Sequence, residues 1–184
     1  MSKRQAMMTA LMAVFGMGVL AAPRIFAAEP QAEAQILNRQ GRNIGTARFS
    51  KADAGVKVQV SLKGLEPGIY ALHIHDKDVC SAPDFSSAGE HFNPSGRKHG
   101  FLNSEGPHAG DLPNVTVGED GTVEEEFVTG LLSLEKGEDA SLVGDTQTSI
   151  LIHSQPDDYI TDPAGGAGDR IACGPIVAVK PEEQ

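Results

Sequence analysis

The sequence predicts an all-β domain in which about eight short strands form an antiparallel sandwich or barrel. Apolar and polar residues alternate in short runs, most regularly in "GVKVQVSL" (55–62), as expected of half-buried strands. The 21 glycines and 11 prolines, with only 5% aromatic residues, indicate many turns. No stretch of ten residues after the first 28 favours a helix, and the nearest, "LLSLEKGEDASLVG", is interrupted by Gly137. Short strands without helices between them are typical of sandwiches and barrels.

The predicted strands follow one another along the chain and are separated by turn residues. The run 68–75 follows the turn pair Pro67-Gly68, and Asp120-Gly121 marks the turn of a hairpin over 114–128. Two segments, 76–113 and 154–172, are too long for tight turns, and loops of this length usually carry function. The predicted strands cover 32–38, 43–50, 55–62, 68–75, the two arms of 114–128, 148–154 and 174–179.

The first 28 residues have the layout of a secretory signal peptide. A basic start, "MSKRQ", precedes an uncharged apolar run, and small residues surround a cleavage site near Ala27 or Ala28. An uncleaved membrane anchor is the alternative, but the apolar run is short for a bilayer span. We therefore predict a signal peptide over 1–28 and one mature domain over 29–184. The mature domain is expected outside the cytoplasm, periplasmic or extracellular, with no stable insertion in a membrane.

The net charge limits the binding partners of the protein, and the predicted export determines the expected state of its two cysteines. The formal net charge is −10, and loss of Lys3, Arg4 and Arg24 with the leader makes it −13. So acidic a chain is a poor partner for nucleic acid or an anionic membrane surface. In an oxidising compartment, Cys80 and Cys173 favour a disulfide over two free buried thiols.

The six histidines indicate a metal site. None occurs in the first 72 residues, and all six lie with Asp111 in the 81 residues from His73 to His153. His73 and His75, in "ALHIHD", share one face of the predicted strand because side chains alternate along it. Imidazole nitrogens and a carboxylate oxygen suit zinc and copper. One histidine alone would indicate a surface or hydrogen-bonded residue, whereas this concentration favours metal binding.

Other families with a His-x-His motif fit less well. A cupin site needs a glutamate shortly after the pair, but "DKDVC" follows. The metallo-hydrolase pattern His-x-His-x-Asp-His fails at Lys77 and Asp78. The sequence contains no Gly-x-Ser-x-Gly elbow, P-loop or dinucleotide-binding loop, and two cysteines are too few for a Cys-rich zinc site.

Five blocks in this order resemble the copper,zinc superoxide dismutases: "ALHIHD", "HFNPSGRKHG", "HAGDLPNV", "ILIHS" and "GDRIACG". The resemblance covers roughly residues 32–179. It implies an eight-stranded antiparallel Greek-key barrel or sandwich with two long functional loops. It also implies an antioxidant oxidoreductase that converts superoxide to dioxygen and hydrogen peroxide, with one copper and one zinc per chain.

The resemblance implies a ligand role for every histidine. The copper ligands would be His73, His75, His91 and His153. The zinc ligands would be His91, His99, His108 and Asp111. His91 would then bridge both metals, leave copper on its reduction and carry a proton until reoxidation.

The resemblance also implies three supporting elements. Cys80 and Cys173 match the intrachain disulfide that ties the metal-site loop to the last strand. Arg170 matches the arginine that lies over the copper and guides the anion, which gives it a catalytic role beside His91. Asp157 resembles the carboxylate that links a copper ligand to a zinc ligand through hydrogen bonds, with the adjacent Asp158 as the alternative.

Two departures from the eukaryotic pattern resemble the bacterial exported branch. The loop between Cys80 and His91 is expanded, and the segment 154–169 is short and contains no lysine. The steering lysines of that segment in eukaryotic members are therefore missing. The remaining candidates for attracting superoxide are Lys77, Arg97 and Lys98.

Two alternatives of the same fold are a non-enzymatic copper-binding or buffering protein and a structural or adhesion domain. A buffering protein would be expected to lack ligands or to carry a Cys-rich copper motif, and an adhesion domain to have lost Arg170 or a copper histidine. The sequence has neither feature, so superoxide is the expected substrate. A homodimer and a protein that donates copper are compatible with the resemblance.

Overall fold

Antiparallel strands account for nearly all of the regular structure. The computed structural model describes residues 31–143 and 147–180, so the signal peptide predicted over 1–28 lies outside the described residues. The only helical element in the described ranges is a 3-10 turn at Ser86–Ala88. None of the helices there is long and apolar enough to cross a membrane. The predicted all-β fold is confirmed.

The strands form one large curled sheet and one small sheet. The strands are β1 (Ala32–Asn38), β2 (Asn43–Ala52), β3 (Gly55–Lys63), β4 (Gly68–Tyr70), β5 (Leu72–His75), β6 (Val115–Val117), β7 (Thr122–Thr129), β8 (Ser149–His153), β9 (Arg170–Pro175) and β10 (Val177–Ala178). The large sheet has the order β5-β8-β9-β1-β2-β3-β7, with β10 paired to β1, and the small sheet pairs β4 with β6. All of these pairings are antiparallel.

The core follows from the alternation read in the sequence. In β3, Val56, Val58, Val60 and Leu62 are buried, and the residues between them are more exposed. Fully burying an aliphatic side chain of this size contributes about 1.5–3 kcal/mol relative to leaving it in water. This stripe packs in one cluster with residues of β1, β2, β5 and β8, which joins the two ends of the sheet.

The run 68–75 forms two strands instead of the single predicted one. Ala71 separates them, because its N–H donates to Gln155 O (2.9 Å) and its carbonyl accepts from His153 N (3.0 Å). Contacts with the chain around the end of β8 therefore redirect β5 into the large sheet, while β4 pairs with β6. The division comes from tertiary contacts that the local alternation of residues does not record.

The predicted hairpin over 114–128 has the right turn and the wrong pairing. The Gly118 N–H donates to Thr122 O at 2.9 Å across Asp120-Gly121. Beyond this turn, β6 pairs with β4 and β7 pairs with β3. β7 matches β3 along its whole length, from Thr122 opposite Lys63 to Thr129 opposite Val56, whereas β6 has three residues. β7 therefore pairs with β3, with which it forms the longer ladder of hydrogen bonds, and not with the short β6.

The last long strand begins earlier than predicted. β9 starts at Arg170 rather than at 174, because it pairs with both β8 and β1. Arg170 and Cys173 consequently lie on a strand and not in the preceding loop. The two long loops run from the end of β5 to β6 and from the end of β8 to β9.

Candidate metal centre

The strand β5 lies at the end of the large sheet, and its outer edge pairs with the long loop that follows it. Main-chain bridges pair His73 with Asp111 and His75 with His91. Ile74, between the two histidines, bonds the loop through both its N–H and its carbonyl, at 2.8 Å each. The loop therefore covers the free edge of β5. As a result, residues far apart in the sequence lie beside the His-x-His pair.

Four buried histidines converge at the ends of β5 and β8, and we call them the four-histidine group. Each offers one ring nitrogen within 4.8 Å of the others. Within the described part of the chain, one nitrogen of each ring has no hydrogen-bond partner. Leaving a buried polar atom without a partner costs about 1–3 kcal/mol. The partnerless atoms are His73 Nδ1, His75 Nε2, His91 Nε2 and His153 Nε2.

The other nitrogen of each ring lies near an oxygen atom. Neutral imidazole that donates through one nitrogen presents a lone pair at the other, so these oxygens set the tautomer in which the four free nitrogens can bind a cation. The contacts are His73 Nε2 to Asp157 Oδ2 (2.8 Å), His75 Nδ1 to Gly89 O (3.1 Å), His91 Nδ1 to Asp111 Oδ1 (2.9 Å) and His153 Nδ1 to Gly168 O (3.4 Å). Four imidazole nitrogens suit copper.

A second group, the histidine–aspartate group, consists of His91, His99, His108 and Asp111. The Nδ1 atoms of the three histidines lie 2.9, 3.0 and 3.3 Å from Asp111 Oδ1, and His108 Nδ1 lies 3.4 Å from His91 Nδ1. A tetrahedral zinc ion with bonds of about 2.0 Å separates its ligand atoms by about 3.3 Å. The four residues thus match zinc in both ligand type and spacing.

His91 belongs to both groups through opposite ring nitrogens. Its Nδ1 contacts Asp111, and its Nε2 is one of the four partnerless atoms. An imidazole is the one side chain that can offer a nitrogen to each of two cations. The two groups therefore share this residue.

Asp157 links the groups a second time. Its Oδ2 lies 2.8 Å from His73 Nε2, and its Oδ1 lies 2.9 Å from His99 Nε2. Asp158, the alternative from the sequence, is exposed and accepts hydrogen bonds from Ile160 N and Thr161 N instead. The carboxylate between the two groups is that of Asp157.

Sequence reasoning missed two residues that hold Asp157. Asn114 clamps its main chain, since the amide side chain donates to Asp157 O (2.9 Å) and accepts from Asp157 N (2.8 Å). Gly165 packs on its carboxylate, where a Cβ atom would overlap Asp157 Oδ1. Asn114 falls within the block "HAGDLPNV", which was the one available signal.

Burial and hydrogen bonding move the pKa values of the four-histidine group and of His99 in opposite directions. Burial lowers the pKa of all four members of the four-histidine group, to about 4 for His91 and about 3 for His153. Burial also opposes a charge on His99, but the hydrogen bonds and charges of Asp111 and Asp157 outweigh it and raise the pKa of His99 to about 9. The four-histidine group is thus neutral at pH 7, and each ring can present a lone pair to a cation without first losing the extra proton of an imidazolium.

The two carboxylates stay ionised despite their burial. Burial alone would raise the pKa of Asp111 and of Asp157. Hydrogen bonds from the surrounding histidines outweigh burial and hold both pKa values well below the usual range. Two fixed negative charges therefore lie beside the histidines.

The predicted disulfide between Cys80 and Cys173 is confirmed, and it joins the first long loop to β9. Phe85, Ala88, Leu151 and Cys173 form a small buried cluster, and Cys80 packs against it. The loop held in this way supplies two carbonyl oxygens to the side chain of Arg170. Its Nη1 donates to Phe85 O (2.9 Å) and its Nη2 to Gly89 O (2.7 Å).

Two of the three cations considered for attracting superoxide are engaged elsewhere. Arg97 donates through Nε (3.1 Å) and Nη2 (2.7 Å) to the Gly106 carbonyl. Lys98 pairs with Asp162 at 3.1 Å. Lys77 is exposed. Arg170 uses two of its five side-chain N–H donors on described residues, and the other three have no partner among those residues.

Comparison with known proteins gives one consistent match. The copper/zinc superoxide dismutase family model matches residues 43–176. "Superoxide dismutase [Cu-Zn] 2" of Aquifex aeolicus is 46% identical over 152 residues, which cover 82% of this chain and 89% of that protein. "Superoxide dismutase [Cu-Zn]" of Caulobacter vibrioides is 41% identical over 138 residues, covering 74% of this chain and 79% of that protein. The crystal structure of a SOD-like protein from Bacillus subtilis is 41% identical with a TM-score of 0.75, covering 78% of this chain and 96% of that one.

Proposed function

The chain belongs to the copper/zinc superoxide dismutase family, and we propose that its two histidine groups divide the metals of that reaction between them. The protein catalyses the conversion of two superoxide anions and two protons to dioxygen and hydrogen peroxide. In this proposal the four-histidine group binds copper and the histidine–aspartate group binds zinc. The observation that carries it is the convergence of four buried, partnerless imidazole nitrogens, one of which belongs to His91.

The reaction needs a redox-active ion held in a fixed geometry. Copper held by the four-histidine group would supply one-electron redox chemistry, and zinc held by the histidine–aspartate group would supply a fixed positive charge. Asp157 keeps a proton on His73 Nε2, so that Nδ1 faces inward as a ligand. Gly89 O does the same for His75 by accepting from Nδ1. These contacts orient the ligands before a metal binds.

His91 is proposed to carry the proton of the cycle. With Nδ1 engaged in the histidine–aspartate group, its Nε2 is free either to bind copper or to hold a proton. A proton held on Nε2 lies within the four-histidine group, where in this proposal the second superoxide is reduced to peroxide. His91 Nε2 can therefore donate one of the two protons of hydrogen peroxide, and solvent supplies the other.

Arg170 is proposed to bind and orient the superoxide anion. Its guanidinium is half-buried, and two carbonyl oxygens fix its position. A positive charge held in a recess acts on a small anion at short range, where the net charge of −13 that remains without the leader is largely screened at a Debye length of about 8 Å. The local cation thus outweighs distant acids.

Export to the periplasm or the extracellular space is also part of the proposal. The leader over 1–28 supports it, and so does the disulfide, which persists in oxidising compartments. Fractionation of cells that express the full chain, with N-terminal sequencing of the product, tests it. A mature protein that begins near Glu29 in the exported fraction is expected, and an intact N-terminus in the membrane fraction would contradict it.

The metal assignment is tested by metal analysis and a dismutation assay on three purified proteins. The unmodified mature protein is expected to hold about one copper and one zinc per chain and to be active. His153→Ala should lose copper and keep zinc, whereas His108→Ala should lose zinc. Loss of both metals to the same extent in both variants would contradict the division, and full loading without dismutation would contradict the enzymatic role.

A further inference from the structure

The peptide unit between Gly89 and Glu90 connects to two residues of the proposed copper side. Its carbonyl oxygen accepts from His75 Nδ1 (3.1 Å) and from Arg170 Nη2 (2.7 Å). The N–H of the same peptide unit, on Glu90, donates to Asp76 Oδ1 at 3.0 Å. One peptide therefore joins the Asp76 carboxylate to a proposed copper ligand and to the proposed anion-binding arginine.

The position of the Asp76 carboxylate over this peptide is built into the local fold. Two main-chain hydrogen bonds hold the segment of Asp76 against the loop. Asp76 N donates to Glu90 O (2.9 Å), and Lys77 N donates to Ala88 O (3.1 Å). The carboxylate occupies the space beside Gly89 that a Cβ atom would need, since such an atom would overlap Asp76 Oδ1. Gly89 also has a φ of +77°, which glycine adopts readily. The missing side chain at 89 admits the carboxylate.

The negative charge of Asp76 is unfavourable for a site that must attract an anion. Asp76 is exposed and lines a cavity of about 460 Å³ together with Glu90, His91 and His108. A carboxylate in a cavity that reaches His91 repels an anion that approaches the site. If Asp76 did nothing but meet solvent, its removal would speed the reaction.

Asp76 can act on the site through the polarity of the peptide. A carboxylate that accepts from an N–H draws positive charge towards that end of the peptide, and hydrogen bonds in a chain strengthen one another. The carbonyl at the other end becomes a better acceptor for His75 Nδ1–H and for Arg170. Ligand histidines commonly donate their outer N–H to a carboxylate, which fixes the tautomer and raises the basicity of the inner nitrogen. Here a peptide lies between the two groups.

We propose that Asp76 is a positioning residue that orients His75 and Arg170 through the Gly89–Glu90 peptide. This inference rests on the proposed function of the four-histidine group. Among the described residues, the Asp76 carboxylate accepts its hydrogen bond from Glu90 N and none from His75 or Arg170. Its effect is on the direction and strength of the carbonyl to which both residues donate.

The test compares Asp76→Ala, Asp76→Asn and the control Glu90→Gln in the zinc-loaded, copper-free protein. Solvent exchange of the Glu90 amide and of His75 Nδ1–H is measured by NMR. Asp76→Ala should speed exchange at both by about tenfold, the effect of losing a hydrogen bond to a charged group. Asp76→Asn keeps an oxygen that can accept from the Glu90 N–H and should restore most of the protection. Glu90→Gln removes one charge from the same cavity, keeps the backbone N–H and should leave exchange unchanged.

The dismutation rate of the copper-loaded proteins, measured at low and high salt, gives the second readout. Asp76→Ala should be slower than the unmodified protein, and Asp76→Asn and Glu90→Gln should not be. A charge-only role predicts instead that all three variants are faster at low salt, with unchanged exchange, and this pattern would overturn the proposal. The exchange measurement does not depend on dismutation, so an inactive protein with the expected exchange pattern would refute the proposed function and leave the role of Asp76 standing.

Discussion

Gly165 lies so close to the Asp157 carboxylate that a Cβ atom at position 165 would overlap Asp157 Oδ1. The same atom would lie 2.6 Å from His99 Nε2. Gly165 therefore packs directly on the hydrogen bond between Asp157 and His99, and this bond is half of the link between the two histidine groups. The glycine permits a connection that a larger residue would break.

Gly165→Ala is expected to weaken zinc binding. The added methyl group must displace Asp157 or His99, and the loss of such a supporting contact typically lowers metal affinity by about 10–100-fold. Zinc affinity is measured by competition with a chelator. Gly166→Ala is the matched control, because Gly166 has a similar φ of +66° while the nearest atom to its Cβ position, Asp158 Oδ2, lies 3.9 Å away. Equal losses in both variants would assign the effect to backbone strain and contradict the prediction.

Arg170→Ile is expected to lower the dismutation rate severalfold while copper and zinc contents stay unchanged. The guanidinium donates to two loop carbonyls and not to the ring nitrogens of the four-histidine group, so its loss removes the proposed anion-binding charge without removing a proposed ligand. The rate is measured over a range of salt concentrations, and the variant should respond less to salt. Arg48→Ile, which removes the same charge from an exposed position of β2, should behave like the unmodified protein. An unchanged rate with full copper loading would show that another group guides the anion.

The sequence predicts the type of site and the strands that carry it because these depend on local patterns. His73 and His75 fall on one strand, and the apolar alternation of β3 identifies its buried face. The division of the run 68–75 at Ala71 was not predictable in this way. Main-chain bonds from Ala71 to Gln155 and His153 cause it, and they exist only in the folded chain.

The supporting residues show the same limit. Asn114 and Gly165 act through distances to Asp157, and no spacing in the sequence distinguishes them from other asparagines and glycines. The ion pair of Lys98 could not be predicted either, because its partner Asp162 lies in the other long loop. Side chains that meet across two loops are brought together by the sheet beneath them. Residue type alone does not identify such pairs.

Replacing both cysteines, Cys80→Ser with Cys173→Ser, is expected to destabilise the metal-free protein. A bridge between residues 93 positions apart restricts the unfolded chain, and the chain-entropy relation gives up to roughly 4–5 kcal/mol for a loop of this length. The free energy of unfolding is measured with denaturant. The unmodified protein with its disulfide reduced should match the variant. An unchanged midpoint in the variant would mean that the small cluster around Phe85 holds the loop without the bridge.

Zinc binding is expected to release about one proton per chain at pH 7 to 8. In the metal-free protein both ring nitrogens of His99 lie within 3.0 Å of carboxylate oxygens, and its pKa is raised to about 9, so His99 is protonated below that pH. A zinc ligand must lose the proton on Nδ1, and the apparent affinity should therefore rise about tenfold per pH unit until it levels off above pH 9. Calorimetry in two buffers of different ionisation enthalpy counts the protons. Asp157→Asn removes one of the two carboxylates that hold the charge on His99 and should reduce the release. No release from the unmodified protein at pH 7 would mean that His99 is already neutral between Asp111 and Asp157.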